Sequence, residues 1–164
     1  MVDVRSQPHS RFSPQFSKGA LAPAIEGADI GYAHLPDLGG RPDGSTYYDQ
    51  LGHVLYGLVA ESDRFKRAIE TLEDLLDLQV VAIMCSEESP TECHRRLLVG
   101  RVLATRGWEI LHLRGDGRIQ PESELADLTG PAVEDGLFEG GELSTWRSIR
   151  SVSPSGRPPT SSPR

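Results

Sequence analysis

Two cysteines, a histidine, acids and two arginines crowd one stretch of this chain, Cys85-Ser86-Glu87-Glu88-Ser89-Pro90-Thr91-Glu92-Cys93-His94-Arg95-Arg96. A thiol beside cations or a helix start ionises more readily, and the thiolate is the nucleophile. On that reasoning Cys85 is the nucleophile candidate and His94 the base or acid. Glu87 either orients the histidine or takes a proton itself. Cys93, at or next to a helix start, is expected to pack or to cap through its backbone rather than to do redox chemistry. The turn is not a cysteine-phosphatase loop. Such loops carry an arginine six positions after the cysteine, and Thr91 stands there. A metal set drawn from Cys85, Cys93, His94 and His112 matches no standard zinc spacing. Adjacent residues such as Cys93 and His94 point roughly 100° apart on a helix, which makes joint ligation awkward. No metal and no cofactor is therefore expected.

The elements around this stretch decide what it can reach. It follows the apolar run Val80-Val81-Ala82-Ile83-Met84, which reads as a strand buried on both faces. It precedes an amphipathic helix from about residue 92 to 106, with Gly107 as the stop. In an open parallel sheet a strand-to-helix turn lies at the carboxyl edge, where ligands bind. Further strands are expected at residues 2–4, 30–34 and 108–113. Arg5 would then end the first strand and His112 would lie near the end of the last, both at the edge that carries Cys85. The loop after Arg5 adds Arg11, and the turn after Cys85 adds Arg95. Arg5, Arg11 and Arg95 are expected to grip an anion in bidentate fashion. Cys93 and His112 would complete the lining. Asp3, between two valines, needs a partner, which Arg5 or Arg95 would supply. Arg96 reads as a solvated helix residue, and Gly39-Gly40 as a tight turn.

Helical patterns fill the intervals. Phe16, Ala20, Leu21 and Ala24 form a weak stripe after Ser13-Pro14. Tyr47, Leu51, Val54, Leu55 and Leu58 recur at helical spacing. Ser62 or Asp63 caps a third helix, whose apolar face is Phe65, Ala68, Ile69, Leu72, Leu75 and Leu76. Gly115-Asp116-Gly117 makes a turn. The alternation predicts an α/β fold, a mainly parallel sheet with helices packed against it in three or partial three layers. Residues 1–125 are expected to form that domain. Residues 126–164, acidic and glycine-rich and then rich in Ser, Pro and Arg, read as a largely disordered tail. Trp146 argues otherwise within it, since an indole seeks burial.

The 164 residues carry a formal net charge of −7, which does not favour bulk attraction to nucleic acid. No apolar run is long enough to span a bilayer. Two cysteines without a secretory signal point to reduced thiols in a cytoplasm.

The order of motifs resembles the domain of unknown function 488 family, small bacterial and archaeal α/β proteins. The matching pieces are Val2-Asp3-Val4-Arg5 with Pro8 and Ser10-Arg11, Phe16-Ser17-Lys18, and Tyr32 with His34-Leu35-Pro36 and Leu38-Gly39-Gly40. Cys85, Glu87, Cys93-His94-Arg95, and His112 with Asp116-Gly117 continue the order. The resemblance covers about residues 1–120 and implies a fold and a site, not an established activity. Members usually open with an extra strand, a polar turn and a helix before the segment matching residues 2–5. This chain lacks them, so an N-terminally truncated domain of lowered stability is expected. Three readings follow. One is an enzyme whose Cys/His/Arg pocket takes a small anionic ligand, such as a nucleotide or other phosphate-bearing molecule. The second is a non-catalytic module binding nucleic acid or a phospho-ligand, and the third an inactive fragment.

Overall fold

Three short strands lie side by side in parallel: β1 (Val2–Asp3), β2 (Ala33–His34) and β3 (Ile83–Met84), in the order β2-β1-β3. The computed structural model describes residues 1–125 and 146–152. The central strand β1 bonds on both sides. The amides of Val2 and Val4 donate to the carbonyls of Ala82 and Met84, while the carbonyls of Met1 and Asp3 accept from Ala33 and Leu35. All three strands therefore point their carboxyl ends, followed by Arg5, Leu35 and Cys85, to one edge. The fold is α/β, as the alternation of patterns predicts.

Asp3 is fully buried in this central strand. Residues two apart on an extended chain share a face, so Arg5 reaches back to it. The guanidinium donates from Nε to Oδ1 (2.8 Å) and from Nη2 to Oδ2 (2.6 Å), and its Nη1 donates to the Phe16 carbonyl. The Arg5 amide and the Tyr32 hydroxyl, the latter at 2.7 Å, add two further donors to the carboxylate. Burial alone pushes the Asp3 carboxyl up, but the hydrogen bonds from Arg5 and Tyr32 outweigh it and hold the pKa below 3.8. Tyr32 moves the other way. Burial and the neighbouring carboxylate push its hydroxyl up to about 12.

The helices are α1 (Lys18–Glu26), α2 (Tyr56–Glu61), α3 (Asp63–Leu76) and α4 (Arg101–Thr105). The third is the clearest product of local rules. Ser62 Oγ accepts from the amide of Phe65, and Phe65, Ala68, Ile69 and Leu72 form one buried stripe. They join Val2, Val4, Leu38, Val59, Leu98 and Leu103 in a single core. Before α4 the chain winds a wider π-helical turn over Arg95–Gly100, which closes with the Arg101 amide donating to the Arg96 carbonyl five residues back. Gly100 packs closely there. A Cβ on it would stand 3.2 Å from the Arg95 carbonyl oxygen and 3.7 Å from Ile110.

Several expectations are corrected. Residues 80–84 are not buried on both faces. Val80 is wholly exposed, Val81 and Ile83 turn inward while Ala82 turns out, and β3 is an edge strand. The second strand is confined to Ala33–His34. No continuous helix covers residues 47–58. Gly52, at φ +81°, turns the chain back, so that Tyr48 bridges Val54 and α2 begins only at Tyr56. Residues 108–113 do not join the parallel sheet. Gly117, at φ +84°, closes a hairpin in which β4 (Leu111–Leu113) pairs antiparallel with β5 (Ile119–Pro121). Only His112 of β4 is buried, so this strand has one face to cover rather than two.

Part of the stretch after residue 125 is docked. Trp146 donates from its indole N–H to the Leu97 carbonyl at 2.7 Å, and Arg101 stacks on its ring. Ser148 is buried. Its amide donates to the Val54 carbonyl, and its Oγ accepts from the Val54 amide. The indole supplies the burial that the surrounding composition lacks. Residues 126–145 and 153–164, the rest of the expected tail, lie outside the described residues.

Removing one partner of a buried ion pair strands the other, at a cost of about 3–5 kcal/mol. Arg5→Ala should therefore lower the urea midpoint by that equivalent. The folded pKa of Asp3 is depressed, so its contribution is present above the unfolded value and is lost as pH falls through the folded one. Stability should drop on acidification below about pH 4, and Asp3→Asn should flatten that part of the urea-midpoint profile. An unchanged acid limb in Asp3→Asn would show that another carboxylate governs it.

Candidate functional site

The segments leaving β1, β2 and β3 enclose a cleft of about 410 Å³. Arg5, Ser6 and Gln7 come from the first, Gly40 and Arg41 from the second, and Cys85, Ser86 and Glu87 from the third. Tyr56 and His94 close the inner side. Ser148, Arg150 and Val152 form the wall opposite, where Arg150 pairs with Glu92.

At the floor, four donor atoms lie within 4.8 Å of one another: those of Cys85, Glu87, Cys93 and His94. The Cys85 thiol donates to Glu87 Oε2 at 2.8 Å and stands 3.6 Å from His94 Nδ1. Cys93 Sγ is 3.9 Å from the same carboxylate oxygen. His94 Nε2 lies 3.3 Å from the Val4 carbonyl. A carbonyl only accepts, so Nε2 carries the hydrogen and Nδ1 presents its lone pair to the sulfurs. Gly40 makes this packing possible, since a Cβ there would fall 2.7–2.9 Å from the imidazole atoms. Gly39 is tighter still, with the Ser6 amide nitrogen 2.8 Å from its would-be Cβ. These glycines serve close approach, where the sequence suggested only a tight turn.

The two thiols are driven apart. Hydrogen bonding to Cys93, together with burial, pushes the Cys85 thiol far up. The Cys85 hydrogen bond lowers Cys93 against the effect of burial, with help from the Arg95 amide and the Arg95 charge. The Arg95 amide donates to Cys93 Sγ at 3.4 Å, so this sulfur itself caps the helix start. The two shifts run in opposite directions, so the pair favours one proton between the two sulfurs. Beside His94, burial raises the Tyr56 hydroxyl and keeps it protonated.

Of the residues singled out from sequence, Arg5, Cys85, Glu87 and His94 line the cleft, and Cys93 lies buried beneath it. The other three do not meet there. Arg11 stacks on Phe12 with its guanidinium carbon 4.9 Å from the ring centre. Arg95 donates to the carbonyls of Glu87 and Glu88 and so braces the turn. His112 belongs to the antiparallel hairpin, where Nε2 meets Glu122 Oε2 at 2.6 Å. Glu122 also pairs with Arg96, which is buried and not solvated. Arg5 lines the cleft with its guanidinium committed to Asp3. Arg41, Tyr56 and Arg150 were not foreseen. The only signal for Arg41 was its place after Gly39-Gly40 in a loop leaving a strand.

The chain matches the family described as Domain of unknown function DUF488 over residues 1–102, and it belongs to that family. The match takes in all three parallel strands and the whole Cys85–His94 cluster, while residues 146–152 lie beyond it. No curated protein and no solved structure matches the chain.

The steric role of Gly40 can be measured. Gly40→Ala should cost about 1–3 kcal/mol, the range for overpacking. Combining it with His94→Ala should recover much of that cost, because the ring it strikes is gone. Urea unfolding of the four proteins in the cycle reads the coupling. Strictly additive losses would mean that the alanine is accommodated without moving His94.

Proposed function

We propose that this member of the family is an enzyme-like domain that binds a small molecule bearing one anionic group. Arg41 would hold the anion, and the Cys85, Glu87, Cys93 and His94 cluster would form the reactive floor. The observation that carries this reading is the convergence of a cation and a thiol–imidazole–carboxylate cluster on one cleft at the carboxyl edge of a parallel sheet. Arg5 is neutralised by Asp3, and Arg150 by Glu92. Arg41 is exposed and makes no ion pair among the described residues, so it is the cation left for a ligand. A phosphate-bearing molecule such as a nucleotide fits this chemistry. The purely nucleic-acid-binding reading is less well supported. The described arginines Arg96, Arg106, Arg114, Arg118 and Arg147 are each paired with an acid rather than gathered on one face.

Calorimetric titration with inorganic phosphate and with AMP tests the reading. A charge-assisted hydrogen bond contributes about 1.5–3 kcal/mol. Arg41→Ala should therefore weaken binding by roughly 10- to 100-fold. Arg11→Ala should change nothing. Equal affinities in wild type and Arg41→Ala, or no binding of either anion, would sink the proposal.

A further inference from the structure

We propose that Cys85, Cys93 and His94 are ligands of a borderline-soft divalent cation of the zinc type, with Glu87 as its fourth and exchangeable ligand on the cleft side. This deepens the reading above by naming what the cluster holds, and it rests on that reading only for the cleft as the way in.

Three observations carry it. First, the four donor atoms already lie within one shell, all within 4.8 Å of each other. Tetrahedral zinc with sulfur at about 2.3 Å sets neighbouring sulfurs about 3.8 Å apart, so small side-chain shifts suffice. Second, His94 is oriented as a ligand would be. Its Nε2 hydrogen is given to the Val4 carbonyl, its ring is held by Gly40, and Nδ1 faces the sulfurs. A backbone carbonyl on the far nitrogen is the usual outer partner of a metal-bound imidazole. Third, two sulfurs, one nitrogen and one carboxylate oxygen match zinc rather than magnesium or calcium.

The objection that Cys93 and His94 are adjacent does not hold in this fold. Cys93 precedes the helix, which begins at His94, and its carbonyl accepts from the amides of Arg96 and Leu97. Its side chain is therefore free of the helical screw that would turn it away from His94. The spacing that fits no standard zinc pattern is bridged by the turn over residues 86–92, which Arg95 braces from within.

Binding moves no electrons. Bonds form from the metal to both sulfurs, to Nδ1 and to a Glu87 oxygen as water leaves the aqueous ion, and each thiol that is protonated beforehand releases its proton to the buffer. Glu87, exposed where the other three are more enclosed, is the ligand a water or an anionic oxygen would displace. That would leave a Lewis acid at the floor of the cleft.

The test is cobalt titration of the full chain after chelator treatment under reducing conditions. Wild type should bind one equivalent, with an intense near-ultraviolet thiolate-to-cobalt band and visible bands of tetrahedral strength. Added zinc should bleach both. Cys93→Ala, Cys85→Ala and His94→Gln should each lose about 100-fold or more in affinity, with circular dichroism confirming that they are folded. Cys85→Ser serves if an alanine variant does not fold. Glu87→Gln should keep the charge-transfer band and weaken binding less than the loss of either cysteine does. Arg41→Ala should bind cobalt as wild type does, which separates this proposal from the anion reading. A spectrum no different from free aqueous cobalt in wild type would overturn the inference. So would equal binding by the folded cysteine variants.

Discussion

A buried carboxylate in the middle strand governs the geometry around the cleft. Asp3 has no exposed surface. Taking an ionised acid out of water is tolerable only with hydrogen-bonded opposite charge alongside. Arg5 supplies it from two residues along the same strand, with Tyr32 completing the contacts. That demand fixes the chain direction where β1 ends. The Arg5 carbonyl then accepts from His34 at 3.0 Å, tying the end of β2 to the same point, and the Val4 carbonyl sets the His94 ring. His94 is thus set by the carbonyl of the residue that lies between the two partners of the ion pair.

This also explains why charge alone misleads as a guide to ligands. Arg5 faces the cleft, yet its charge is spent on Asp3. Arg95 stands beside the cysteines, yet its donors brace the turn carbonyls of Glu87 and Glu88. Arg96 is buried, with one terminal nitrogen unpartnered among the described residues, and is held by Glu122 and the Leu125 carbonyl. Glu122 gathers both Arg96 and His112, so the hairpin is fastened to the helix by polar contacts more than by its exposed Leu111 and Leu113.

What could be read from sequence was what short-range rules decide. The Ser62 cap, the stripe of α3, the turn at Gly115–Gly117 and the convergence of strand ends all follow from patterns a few residues long. What could not be read depended on distant partners. The apolar run before Cys85 looked buried on both faces because run length does not say which strand is the edge. The strand containing His112 looked parallel because nothing local reveals that Ile119 will fold back onto Leu113. Arg41 is a loop residue whose meaning appears only when three strand ends are assembled. The coupling of the two thiols depends on contacts between residues eight apart, and Cys85 donates to Glu87 across the same turn.

The π-helical turn at Arg95–Gly100 has a consequence for chain length. A π turn holds one residue more than an α turn would, and it packs less well. That extra residue sets the angular phase between the helix start, which faces the cleft, and Val102 and Leu103, which face the core. Deleting one residue inside the turn would let ordinary α winding resume with both ends in phase, whereas winding the same residues as an α-helix would rotate one end against the other by roughly 100°. Either His94 would leave the sulfurs or Val102 and Leu103 would leave the core. The widened turn acts as a phase adjuster, letting one continuous helix satisfy two faces that a regular helix could not serve together.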